Sequence, residues 1–397
     1  MIKILFFLSI FEFIIYILFS LLKKKFKWLV VLSDANPTFS KSDVKKYNTF
    51  TYNKNTGWDN KKINKITEII YKKKKFLFEY NFDKRNGSRL TGNSFKKIKN
   101  IFFGDSYALC RCSQDSETIQ HFLEKKIKSK ILNYGVGNYG LDQVLLKIKK
   151  TKLSKAKNII ILFVPETIAR VHSYWKHFLE FGNIFGFKPK FSIIDNKLKL
   201  ENNHVKKIKI NKVQSIINNL KYKDIFYKEK FLKNAFRFPF TLFFLKNFLK
   251  NLMIFFYLIL EKITLDKKFY ELAFGVIVKN NIEESQKMYK NGHYSFLLEK
   301  IILEINYYLK KKNKNVFFFI VPQLLDIKIN HKINSSEIFY KNISKKYGLK
   351  VYDLTKDIKK QKNISQLYFD DFYGGHLNNV GNKLISALIY KKIGNAL

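Results

Sequence analysis

The sequence is poor in the residues that staple and punctuate a chain. Its 397 residues include 2 cysteines, 5 prolines and 16 glycines. Cys110 and Cys112 are too few for a disulfide scaffold or a cysteine-based structural zinc site. Glycine and proline together make up about 5%, less than half the usual share. Collagen-like, linker-like and low-complexity readings are thereby excluded. Arginine is scarce too: of 75 basic residues only Arg85, Arg89, Arg111, Arg170 and Arg237 are Arg. That scarcity bears on the formal net charge of +44, set by 31 acidic residues. A surface built for nucleic acid favours Arg for its bidentate contacts. An abundance of Lys, Phe, Ile and Asn instead follows the codons of an A/T-rich genome. Runs such as Lys72–Lys75 are therefore read as solvated surface ahead of a polyanion site, and no nucleic-acid partner is expected.

What the chain has in quantity is apolar: 46% hydrophobic residues, enough for a substantial core. Ile4–Leu22 is a run of 19 residues with one charge, Glu12. Such a length spans a hydrocarbon core. Lys23, Lys24, Lys25 and Lys27 follow it, with no small-residue cleavage pattern. Residues 1–27 are expected to be an uncleaved N-terminal transmembrane helix, a single-pass anchor in a bacterial inner membrane. The lysines after the run favour a cytoplasmic globular part, but in so lysine-rich a chain the side is left open. A second apolar stretch, Phe238 to Leu260, carries Lys246 and Lys250 on one helical face. It fits an amphipathic helix, lying either on a membrane or on the protein's own core.

From about Lys97 the pattern alternates. Ile98–Phe103, Lys130–Tyr134 and Asn158–Val164 read as strands, separated by helical spacing over Ser116–Lys128 and Leu141–Lys150. After an insertion over 181–283 the order resumes. A helix over Ser295–Lys310 leads to the strand Asn315–Val321, and a helix over Ser336–Tyr347 to the strand Leu349–Leu354. A helix over Asn379–Ile393 closes the chain. The alternation predicts an α/β fold with a parallel sheet covered on both faces, built from 97–180 and 284–397. Residues 28–96 read as a connecting segment.

In such a sheet the site lies where strands end at their carboxyl edge. The segments there are Gly104-Asp105-Ser106, the glycine-rich Asn133–Gly140, and Pro165-Glu166-Thr167. Asp370-Asp371-Phe372-Tyr373-Gly374-Gly375-His376 precedes the last helix. A serine at a strand-to-helix turn, a histidine beside it and a carboxylate behind the histidine suggest nucleophilic acyl transfer. Backbone amides at the serine and the glycine-rich turn would hold the oxyanion.

These blocks, in this order, resemble the SGNH hydrolases, or GDSL-type esterases and lipases. The resemblance implies a flavodoxin-like three-layer sandwich, no metal or cofactor, and ester hydrolysis or acyl transfer. It makes Ser106 the nucleophile and His376 the base, and many anchored relatives modify acyl groups on cell-surface polysaccharides. An acylated small molecule or glycan is the implied substrate. Three positions depart from the family pattern. Asn138 stands where the family's oxyanion-hole glycine is expected, with Gly137 the other donor. No Asn follows the third strand, leaving Thr167 or Glu166 in its place. Tyr373 stands where Asp usually does, three residues before His376, so Asp371 or Asp370 must orient the base from further away. These departures also motivate two rivals: a catalytically inactive glycan-binding module and a basic polyanion-binding membrane protein. Elsewhere, Arg170 reads as an anion contact or an ion pair. His172 and His177 are five apart and do not stack as ligands, so no metal is expected. Cys110 and Cys112 read as packing residues.

Overall fold

The apolar runs after Lys97 form one all-parallel sheet. The computed structural model describes residues 2–60, 65–71, 74–153, 156–329, 334–369 and 375–397. Its sheet consists of β1 (Ile98–Gly104), β2 (Lys130–Asn133), β3 (Asn158–Phe163), β4 (Asn315–Ile320) and β5 (Val351–Asp353). Their spatial order is β5-β4-β3-β1-β2, every pairing parallel. This is the flavodoxin-like order 2-1-3-4-5, in which the winding reverses between β1 and β3 and opens a crevice at their carboxyl ends. Ile159–Phe163 and Val316–Ile320 are buried throughout, as continuous apolar strands must be when helices cover both faces.

The main helices of this unit are α1 (Ser106–Leu109), α2 (Ile119–Ile127), α3 (Leu141–Lys150), α4 (Thr167–His172), α5 (Gly292–Lys311), α6 (Ser335–Tyr347) and α7 (Asn379–Ile393). On α3, Leu141, Val144, Leu145 and Ile148 recur at helical spacing and are buried. Caps set the boundaries. The Thr118 hydroxyl accepts the His121 N–H, so α2 starts at Ile119, three residues later than the apolar spacing suggests. Asn291, Asn334 and Asn378 cap α5, α6 and α7 in the same way.

The chain divides into two compact units. The sheet belongs to residues 46–172, 188–207 and 282–397; the other unit comprises 1–45, 173–187 and 208–281. The segment 28–96 is thus shared between them. Within 181–283, the hairpin Lys190–Ile194/Lys197–Glu201 falls in the sheet unit.

In the second unit, residues 4–22 lie in a helix, Ile2–Lys25. Ile15, Phe19 and Leu22 form a stripe on it that, with Phe26 just past its end, is buried against Phe236, Ile254, Phe255 and Leu258. Phe19 stacks on Phe236 with ring centroids 3.6 Å apart. Among the described residues no single helix is long and apolar enough to cross a membrane. The helix that holds the expected transmembrane run gives one face to a protein core. Two helices, Phe240–Lys246 and Phe248–Thr264, meet the length and composition of a span only together, and they are bent by 104°.

Candidate active site

The sheet unit gathers the blocks at its carboxyl edge. β1 ends at Gly104, where φ is +146° and an added Cβ would stand 1.8 Å from the Leu162 carbonyl oxygen. Only glycine lets the chain turn this close to β3. Asp105 then caps α1. Its Oδ1 accepts the Tyr107 N–H at 2.9 Å and its Oδ2 the Val164 N–H at 3.0 Å, tying the turn after β1 to the end of β3. Ser106 becomes the first residue of α1, where a backbone N–H has no helical acceptor.

His376 arrives from the far end of the chain. His376–Leu377 pairs antiparallel with Tyr368–Phe369, which fixes its backbone. His376 Nε2 lies 2.8 Å from Ser106 Oγ, and both residues are buried. When the hydroxyl donates, Nε2 accepts and the ring proton sits on Nδ1, the tautomer a general base requires. Tyr107 steadies the histidine in a way the sequence does not announce. Its ring stacks on the imidazole with centroids 5.1 Å apart, and its hydroxyl donates to the Gly375 carbonyl at 2.7 Å.

The glycine-rich turn after β2 is pinned against the same place. Asn133 Nδ2 donates to the Ala108 carbonyl at 2.6 Å, and the Val136 N–H to the Gly104 carbonyl at 3.1 Å. Two side chains from the segment read as a connection hold the turn's carbonyls. Asn60 Nδ2 donates to Gly135 at 2.9 Å and Trp58 Nε1 to Gly137 at 3.0 Å. The backbone N–H groups of Ser106, Gly137 and Asn138 donate to no protein acceptor among the described residues. Asn138 adopts a left-handed φ of +64°, and a Cβ added at Gly137 would meet nothing within 4 Å. The turn thus presents free donors and open space.

The other two oxyanion candidates have partners of their own. Thr167 is fully buried, and its Oγ1 accepts the Leu141 N–H at 3.1 Å, serving the start of α3. Glu166 Oε2 pairs with the Arg170 guanidinium at 2.9 Å. Arg170 is buried, bonds the Tyr139 carbonyl at 3.3 Å and reaches Asp105 Oδ2 at 3.4 Å. It is an interior clamp between two carboxylates, and the four-residue spacing from Glu166 is its sequence signal. Burial raises the Asp105 carboxyl above the usual range, and the nearby Arg170 charge pulls it back. Asp370 and Asp371, expected to orient His376, lie outside the described residues, as do Tyr373 and Gly374.

Burial lowers His172 to about 3 and His177 to about 4, leaving neutral rings bonded to the Tyr294 and Asp34 carbonyls. Among the described residues no cluster of three His, Cys, Asp or Glu is arranged to hold a metal ion. Burial pushes the Cys110 thiol up to about 11, an inert packing role.

No family model matches the chain, and no curated protein matches it. Several solved structures do. A lipase/acylhydrolase from Enterococcus faecalis is 13% identical, with 75% of this chain and 96% of that one covered at a TM-score of 0.34. A lipolytic protein of the G-D-S-L family from Veillonella parvula is 10% identical, covering 76% and 100% at a TM-score of 0.35. A two-domain esterase active on acetylated mannans is 11% identical, covering 75% and 49% at a TM-score of 0.32. At these scores the likenesses carry no weight for function, which rests on the site's own geometry.

Proposed function

We propose that the chain is a serine esterase or O-acyltransferase of SGNH type. The observation that carries this reading is the 2.8 Å hydrogen bond between Ser106 Oγ and His376 Nε2, residues 270 apart in sequence. Ser106 Oγ attacks the ester carbonyl carbon as its proton passes to His376 Nε2. The carbonyl oxygen becomes an oxyanion, held by the N–H of Ser106 with that of Gly137 or Asn138. The C–O bond to the leaving alcohol breaks and His376 returns the proton to that oxygen. A water or an acceptor hydroxyl, deprotonated by His376, then attacks the acyl carbon, and as the bond to Ser106 Oγ breaks His376 returns the proton to that oxygen. Asp371 or Asp370 is the proposed orienting acid. The proposed substrate is an acyl ester on a glycan or small molecule, the class implied by the sequence blocks. Membrane attachment through residues 4–22 completes the proposal.

A second reading is a glycan-binding module without turnover. It is favoured by the pairing of Glu166 with Arg170, which ties up that carboxylate, and by the absence of an Asn after the third strand, which leaves the Thr167 hydroxyl as the one side-chain donor of that segment for the oxyanion. Fluorophosphonate labelling with peptide mapping separates the two. A covalent adduct on Ser106, absent in Ser106→Ala, supports the esterase. A folded protein that forms no adduct and hydrolyses no aryl ester overturns it.

A further inference from the structure

Glu12 is the one charge in the run from Ile4 to Leu22. Its carboxylate accepts the backbone N–H of Phe240 at 2.5 Å and of Thr241 at 2.8 Å. These amides open the Phe240–Lys246 helix, where the first N–H groups lack intrahelical acceptors. Pro239, just before, contributes no N–H at all. A carboxylate and a bare helix end are each costly in an apolar medium, and here each satisfies the other. Glu12 and this helix end therefore add no unpaired polar group to the apolar surface of these helices. Phe13 and Ile14 on the N-terminal helix are exposed, as are Leu249, Phe256 and Ile263 on the Phe248–Thr264 helix. Apolar exposure on this scale marks an interaction surface. Lysines end each limb: Lys23–Lys25, Lys246 and Lys262, cations that match anionic headgroups. The bent pair does not form one straight span. Its limbs of 7 and 17 residues are about 10 and 26 Å long, against a hydrocarbon core of about 30 Å, and the 104° bend keeps their lengths from adding.

We propose that Phe240–Thr264 is a lipid-facing wedge that enters one leaflet of an anionic bilayer beside the N-terminal helix. The inference rests on the membrane reading of residues 4–22 and adds a second, independently testable element to it. Leu249→Cys, Ile263→Cys and Phe13→Cys, each in the full chain, carry an environment-sensitive fluorophore. All three sites are exposed, so the fold tolerates the label, while Cys110 and Cys112 are buried and stay unlabelled. The probe is a vesicle of equimolar phosphatidylcholine and phosphatidylglycerol, with and without brominated acyl chains. Blue-shifted emission quenched by the brominated chains is expected at 249 and 263 as well as at 13. Leu249→Glu combined with Ile263→Glu lowers vesicle partitioning on the order of tenfold. Quenching at 13 alone overturns the wedge and leaves the N-terminal attachment standing. Quenching at none of the three overturns both. A blue shift at 249 that grows with protein concentration without vesicles assigns the face to a second copy of the chain and also overturns the wedge.

Discussion

Tyr107 holds His376 in two ways, by stacking on its ring and by donating its hydroxyl to the carbonyl of Gly375, the residue before it. Tyr107→Phe keeps the ring and deletes the bond. The expected cost is about 1 kcal/mol of stability, with kcat for an aryl ester falling while KM holds, because only the base is loosened. Steady-state kinetics beside urea melts check this; a KM effect alone would place Tyr107 in substrate binding. Arg170 makes a stronger claim. Arg170→Met leaves Asp105 and Glu166 buried without their cation, so unfolding should be easier by about 3–5 kcal/mol. An unchanged urea midpoint would show the clamp to be energetically idle. Asp326 supplies a pH signature. Burial pushes its carboxyl up to about 7 from the ordinary 3.8, against the hydrogen bond from the Gln323 N–H and with the Glu166 charge adding to the rise. The folded state then holds the proton more tightly than the unfolded chain, so stability falls as pH rises between 3.8 and about 7. Asp326→Asn keeps an acceptor for Gln323 and removes that slope, gaining at most about 4 kcal/mol above pH 7. Urea melts across that range test it, and a variant with the parent's slope refutes it.

The β1–α1 turn is the element on which the site depends. Gly104→Ala would drive a Cβ into the Leu162 carbonyl at a positive φ, so β1 must move away from β3. A loss on the order of 3 kcal/mol and of fluorophosphonate labelling at Ser106 is expected, because the serine rides on that turn. A stable variant that labels normally would show the turn to be adaptable. This element was legible in the sequence for a physical reason. Apolar runs such as Asn158–Phe163 mark buried parallel strands, and strand ends mark the site. Ser106 and the Gly137–Asn138 turn are singled out by that rule, and His376 by its place just before the last helix. What supports them is not. Trp58 and Asn60 reach the glycine-rich turn across 79 and 75 residues, and neither an indole nor a carboxamide carries a local mark of a distant carbonyl. Nor does Tyr107 carry a local mark: a tyrosine after Gly-Asp-Ser suits core packing equally well, and its bond to Gly375 joins residues 268 apart. Helical spacing reaches back beyond Thr118 to Ser116, but a side-chain cap at Thr118 ends the helix there, and α2 starts at Ile119.

At the scale of the whole molecule, residues 1–27 differ from a detachable leash. Ile15, Phe19, Leu22 and Phe26 share one buried core with Phe236, Ile254, Phe255 and Leu258, residues more than two hundred positions later in the chain. Each large side chain removed from such a core costs about 2–5 kcal/mol. A variant beginning at residue 28 loses all four, along with the Glu12 carboxylate that caps the Phe240–Lys246 helix. Its Phe248–Thr264 amides should therefore exchange with solvent orders of magnitude faster than in the full chain, in detergent as well as in buffer, since detergent replaces lipid contact but not interlocking side chains. The β3 and β4 amides, in the other compact unit, should keep their protection. Hydrogen exchange read by mass spectrometry resolves the two segments in one experiment. Undiminished protection over 248–264 would mean that the N-terminal helix only rests on that unit. Lost protection there, with β3 and β4 intact, would mean that the helix that begins the chain also completes a core assembled from its middle.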